Sequence, residues 1–168
     1  MLQKYSIIVL CCSAVLARVP VAKNCPTGWT WFLRSRGGWC MKVFTEALNQ
    51  PSAEAKCKAA EAVLAGIQNK EEVAWMSKEL TGTMWIGTKR TPPCMNSGVT
   101  KQCSQITSYY WTDGSTVGVQ GFYWNSGEPN NQGGQGCAKL ITSSSVLDDV
   151  ACTTELTNGY VCGKIATF

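Results

Sequence analysis

The sequence predicts an α+β domain with antiparallel strand pairing, stapled by disulfides and carrying one long polar loop. Three observations carry that prediction. The elements run strands, two helices, strands, with no alternation of β and α. Cysteines are numerous and dispersed through the 168 residues. Residues 112–136 are crowded with Gly, Asn, Ser and Gln, a length of irregular chain that is usually functional or disordered in a compact domain.

The first residues have the pattern of a signal peptide. Lys4 gives a positive start, residues 5–16 are apolar, and Val15-Leu16-Ala17 suits a signal peptidase. That run is too short to span a bilayer, which needs roughly 20 apolar residues. The expected division is a signal peptide over 1–17, a connector over 18–24 and a domain over 25–166. No later apolar run reaches spanning length, so no membrane insertion is expected of the mature chain, and secretion is.

Strands are expected over 29–34 and 39–44, around the turn residues Ser35-Arg36-Gly37-Gly38. Pro51 suits a first helical turn, and Ala53, Cys57, Ala60 and Leu64 recur at helical spacing on one face. Cys57 should therefore point inward. A second helix should start at Asn69, which with Glu72 forms a capping pair, and Val73, Met76 and Leu80 continue its stripe. Met84-Trp85-Ile86-Gly87 reads as a buried strand, Tyr110-Trp111 as another, and three short strands close the chain over 137–141, 147–152 and 160–165.

Composition removes several function classes. Histidine is absent, which takes away Ser-His and Cys-His nucleophile pairs, two-His metal sites and most proton shuttles. An enzyme is not expected. Lys and Arg number 15 against 11 acids. Loss of Lys4 with the leader lowers the net charge from +4 to about +3, and the basic residues form no stripe, so nucleic acid is not favoured as a partner. Cys11 and Cys12 fall in the leader. Eight cysteines remain, Cys25, Cys40, Cys57, Cys94, Cys103, Cys137, Cys152 and Cys162, none in paired zinc-type spacing. They read as four disulfides, and spacing alone leaves all of the roughly 105 pairings open.

The polar loop holds Trp124-Asn125-Ser126-Gly127-Glu128-Pro129-Asn130, followed by Gln135 before Cys137 and by Asp148-Asp149 before Cys152. These are hard oxygen donors of the kind calcium takes, six to eight at about 2.3–2.6 Å. If Cys137 and Cys152 were bonded, the donors ahead of each would face one another.

In this arrangement the chain resembles the C-type lectin domain family. The resemblance lies in Cys25-Pro26-Thr27-Gly28-Trp29, the helix bearing Cys57, Trp85-Ile86-Gly87, Trp111-Thr112-Asp113-Gly114, Gly127-Glu128-Pro129-Asn130 and the last three cysteines. It covers residues 25–166, and the extra cysteine pair resembles a nematode secreted branch. The resemblance implies the bonds Cys25–Cys40, Cys57–Cys162 and Cys137–Cys152, leaving Cys94 with Cys103. It also implies a single calcium held by Glu128, Asn130, Gln135, Asp148 and Asp149. Sugar hydroxyls then bind the ion and Glu128, Asn130, Gln135 and Asp148, with Pro129 in cis.

Two positions depart from the family pattern. Gln135 stands where Glu is usual and Asp148 where Asn is usual, so the set keeps three negative charges while one acid and one amide exchange places. Glu-Pro-Asn resembles the mannose-type members, and mannose, fucose or glucosamine-type sugars are the expectation. Gly136 and Asn131 replace acids of an auxiliary calcium site, so that second site is expected to be absent and the loop more mobile for it. Trp124 is expected to pack beneath the site. The rival expectation is a C-type lectin-like domain that has lost calcium and binds a protein. The connector encodes no stalk, so valency and oligomeric state are not readable.

Overall fold

In the computed structural model, which describes residues 20–168, the chain opens with a hairpin. Strand β1 (Thr30–Arg34) pairs antiparallel with β2 (Gly37–Phe44), and Arg34 lies opposite Gly37 across the Ser35-Arg36 turn. Gly37 holds φ at 120°, a backbone that an L side chain rarely adopts. The leader expected over 1–17 lies outside the described residues.

Helix α1 (Gln50–Ala59) begins with Pro51 in its first turn, and the Asn49 side chain accepts from the Ser52 amide. Cys57 is fully buried, as its helical position predicts. The helix is shorter than its spacing suggested. Glu61 turns the chain at φ 53°, and the Ala60 and Ala62 amides close on the last carbonyls. Leu64 consequently reaches the core from a two-residue strand, β3 (Val63–Leu64), instead of from the helix.

Helix α2 (Lys70–Glu79) is capped by Asn69, whose side chain accepts from the Glu72 amide at 3.0 Å. The reciprocal half of a capping box does not form. Glu72 turns inward and accepts from the Gln68 amide and from Arg34.

Strand β4 (Thr83–Arg90) runs three residues beyond Gly87, the last residue of the apolar segment in the sequence. The extension pairs with β5 (Tyr109–Trp111), which sets Arg90 opposite Tyr109. A single 3-10 turn, Pro92–Cys94, follows β4. Strands β6 (Cys137–Ile141), β7 (Val146–Val150) and β8 (Gly159–Ile165) complete the chain.

The strands join in one sheet of order β1-β2-β8-β4-β6-β7, with β3 on β8 and β5 on β4. All neighbours are antiparallel except β4 and β8. The final strand inserts between β2 and β4, antiparallel to the first and parallel to the second. One core cluster gathers Met41, Ile67, Met76, Met84, Ile86, Leu140, Leu147 and Val161. A second surrounds Ala53, Cys57, Leu64, Trp85, Tyr160 and Cys162.

Among the described residues four disulfides are formed, Cys25–Cys40, Cys57–Cys162, Cys94–Cys103 and Cys137–Cys152. These are the pairings that the family resemblance implied. The last brings its two Cα atoms to 5.2 Å and closes the base of the loop region.

Candidate functional site: the acidic loop cluster

The cluster is built on the β6–β7 hairpin. Ala138 lies opposite Asp149 and Lys139 opposite Asp148. Alternation along β7 turns Asp149 into the interior, where it is fully buried, and leaves Asp148 half-buried. The long loop comes to this hairpin by adding backbone to its outer edge. Leu147 donates to the Tyr123 carbonyl at 2.7 Å, and Asn125 donates to the Leu147 carbonyl at 2.8 Å. A turn at Gly127, with φ 86°, then delivers Glu128 beside the two aspartates.

One carboxylate oxygen each from Glu128, Asp148 and Asp149 lie within 4.8 Å of one another. Ligands on opposite sides of a calcium ion, each at about 2.5 Å, stand about 5 Å apart, so this spacing suits such an ion. Negative charge gathered here is costly without a cation. Glu128 is pushed up to about 7, chiefly by burial and then by Asp149 and Asp148. Asp148 is raised as well, by burial first and by Asp149, against the pull of Lys139.

The two amides join the same cluster. Asn130 donates through Nδ2 to Glu128 Oε1 at 2.9 Å, and its backbone amide donates to Glu128 Oε2 at 2.9 Å. The side-chain oxygens of Asn130 and Gln135 both accept from the Gln132 amide, each at 2.7 Å. All five residues that the sequence pointed to are thus linked, through shared bonds or carboxylate proximity. The Glu128–Pro129 bond is cis.

Asp149 does more than face the cluster. Its Oδ1 accepts from the Asn130 amide at 3.0 Å and its Oδ2 from the Asn131 amide at 2.9 Å. Oδ2 also accepts from the Tyr109 hydroxyl at 3.2 Å and from Arg90. Oδ2 is therefore saturated, and Oδ1 keeps free capacity. Burial, with the Asp149 charge close by, pushes the Tyr109 hydroxyl well above its ordinary range and keeps it a donor.

Sequence reasoning missed Arg90, Tyr109, Lys139 and Gln105. Lys139 Nζ lies 3.6 Å from Asp148 and 2.6 Å from Glu155. Gln105 donates to the Glu128 carbonyl at 2.8 Å, and its own carbonyl accepts from Trp124 at 2.7 Å. Trp124 packs against the ring of Tyr109, whose hydroxyl donates to Asp149, at 4.9 Å between centroids. An arginine ending an apolar strand was the one available signal, and it carries no motif.

The family model for the Lectin C-type domain matches residues 46–164. The chain belongs to the C-type lectin domain family. Among curated relatives of this lectin domain is C-type lectin domain family 4 member M of Pan troglodytes, 27% identical over 150 residues. That match covers 87% of this chain and 29% of the relative, so the chain spans under a third of the relative's length. Among solved structures, the C-type carbohydrate-recognition domain of cow CD23 superposes with TM-score 0.66 at 24% identity, over 87% of this chain and 99% of that one. A calcium-independent type II antifreeze protein superposes with TM-score 0.65 at 25% identity, over 86% of this chain and 97% of that one. A Ca2+-dependent type II antifreeze protein superposes as well, with TM-score 0.63 at 22% identity over 83% of this chain and 99% of that one. The scaffold is thus shared by proteins that differ in their need for calcium. In this lectin domain, ion dependence turns on the donor set.

Proposed function

We propose that this lectin domain binds carbohydrate through one calcium ion, and acts as a secreted, non-catalytic module. The carrying observation is the convergence of Glu128, Asp148 and Asp149 within 4.8 Å, from two segments of chain. Glu128, Asn130, Gln135, Asp148 and Asp149 would hold the ion, which when bound supplies open positions for two neighbouring sugar hydroxyls. Around those hydroxyls the chain offers carboxylates that accept hydrogen bonds and amide nitrogens that donate them. Glu128 and Asn130 keep the acid–amide order of the mannose type, which supports equatorial vicinal diols as ligand.

Secretion is supported by the leader pattern over 1–17 and by four disulfides, which persist in oxidising compartments. Among the described residues, no helix is long and apolar enough to cross a membrane. The family is one of non-enzymatic binding proteins, and the absence of histidine fits that role.

A second reading has its own observation. Asp149 Oδ2 is already saturated by Arg90, Tyr109 and the Asn131 amide, an arrangement that suits a calcium-free domain that binds protein. Calorimetric titration with calcium, followed by a glycan array with and without chelator, decides between them. Calcium-dependent retention of mannose-type glycans is the expected result. Absence of ion binding at millimolar calcium, or an array signal indifferent to chelator, would overturn the first reading.

A further inference from the structure

We propose that Arg90 is a positioning residue that serves as the resident cation of the binding loop, holding it in its ligand-ready shape without calcium. The inference rests on the reading of this loop as the ligand site, but not on whether an ion binds there.

Arg90 is 1% exposed, and it is the meeting point of three separate segments. Its Nε donates to the Gln135 carbonyl at 2.8 Å, within the loop that carries Glu128 and Asn130. Its Nη1 donates to the carbonyls of Ser97 at 3.1 Å and Cys94 at 3.4 Å, in the segment closed by the Cys94–Cys103 bond. Its Nη2 donates to Asp149 on β7. The guanidinium also lies over the Tyr109 ring, 4.7 Å from the centroid.

The acceptors are three backbone carbonyls and a carboxylate. That is the donor set a hard structural cation would take. A planar fork with five N–H groups can satisfy all four from one centre, which an ammonium cannot. The charge also offsets Asp149, the buried acid from which the Asn130 and Asn131 amides hang.

Asn131 repeats the stitch from the loop side. Its Nδ2 donates to the Met95 and Ser97 carbonyls at 3.0 Å each, and its Oδ1 accepts from the Gln135 amide at 2.8 Å. Gly98 sits so close that an added Cβ would lie 3.0 Å from the Asn130 carbonyl oxygen. The auxiliary calcium acids are missing from the sequence at Asn131 and Gly136. Arg90 and Asn131 tie the loop to the carbonyls of Cys94, Met95 and Ser97, so the loop is held without a second ion.

Hydrogen exchange at single amides tests this in the whole secreted domain. In wild type with chelator, the amides of Asn130, Asn131 and Gln135 should exchange at least about a hundredfold slower than in a free chain. Adding calcium should change those rates by less than about threefold. In Arg90→Lys with chelator, the same amides should exchange about tenfold faster or more, while core amides of Met84 and Ile86 keep wild-type rates; calcium should restore part of the loss. Arg90→Gln should behave likewise, and if it fails to fold the lysine variant and the wild-type rates still decide. Free-chain exchange of the wild-type loop in chelator, or wild-type rates in Arg90→Lys, would overturn the proposal. A wild type that takes up no calcium removes the function proposed above, yet its exchange pattern in chelator still decides the role of Arg90.

Discussion

The carboxylate of Glu72 receives both Nε and Nη2 of Arg34, each at 2.8 Å, with both side chains wholly out of solvent. Arg34 also donates to Asp113 at 2.8 Å and to the Gly66 carbonyl at 2.9 Å. Burial pushes Asp113 up, but the Thr116 amide and Arg34 outweigh it and hold the carboxyl below its ordinary range. This triad fastens α2 and the start of the long loop to β1. Removing Glu72 leaves Arg34 its Asp113 counter-ion but takes away two buried charge-assisted hydrogen bonds and the acceptor of the Gln68 amide, a loss of about 3–5 kcal/mol. Glu72→Ala should lose about that much in urea denaturation, and Glu72→Gln less, since one acceptor oxygen survives. A loss below about 1 kcal/mol in Glu72→Ala would contradict this account.

Two of the disulfides should separate stability from site geometry. In the chain-entropy model, Cys57–Cys162, spanning 105 residues, contributes about 4.8 kcal/mol. Cys94–Cys103 spans 9 residues and contributes about 2.6 kcal/mol. Cys94→Ser with Cys103→Ser should therefore be the milder change in thermal unfolding. It should nonetheless weaken glycan retention, because the segment it releases supplies the Cys94 and Ser97 carbonyls to Arg90 and Gln105 to Glu128. Unchanged glycan binding in that double variant would show that the stapled segment plays no part in holding the site.

What was legible in the sequence was local or motif-borne. The Asn69 cap needed only its next three residues, and the burial of Cys57 only one helical face. Leu64 misled because its spacing continues the helical stripe past the left-handed turn at Glu61, which no composition signal announces. The parallel pairing of β4 with β8 joins residues some seventy-five apart, beyond the reach of periodicity. At the site, the oxygen donors of Glu128 and Asp148-Asp149 were readable as chemistry, but what makes them neighbours is backbone, the loop's bonds to Leu147 and the Asn130 and Asn131 amides on Asp149. Arg90 was invisible for a physical reason. Three of its four acceptors are backbone carbonyls, and a carbonyl leaves no mark on the residue that carries it.

Glu128 gives the site a pH response with opposite signs for stability and for ion binding. Its carboxyl is raised from 4.5 to about 7 in the folded chain. Without an ion, the folded state holds that proton between the two values. Its stabilising contribution is complete below about pH 4.5 and is lost as pH rises through about 7. Calcium needs the deprotonated group, so apparent affinity should climb about twentyfold from about pH 5.5 to about pH 7.5 and then level off. Glu128→Gln should flatten that rise while weakening binding throughout. Calorimetry at several pH values checks both, and a wild-type affinity that does not vary over the window would contradict the position of Glu128 at the ion.

The exchanged pair, Gln135 and Asp148, allows charge to be separated from order. Restoring the usual residues by Gln135→Glu with Asp148→Asn keeps three negative charges, so calcium affinity should stay within about threefold of wild type. The single changes break that balance. Gln135→Glu adds a charge to the donor set and should tighten calcium by about tenfold, whereas Asp148→Asn removes one and should loosen it about as much. Asp148→Asn also frees Lys139 from its 3.6 Å partner, although Glu155 at 2.6 Å keeps that ammonium anchored. Glycan preference should follow order instead of charge. The double variant presents a donor where wild type has an acceptor, and an acceptor where it has a donor, so the hydroxyl pair that fits must change its geometry. A double variant with wild-type calcium affinity and an altered array profile is the expected outcome. An unaltered profile at the same affinity would show that Gln135 and Asp148 hold the ion without touching the sugar.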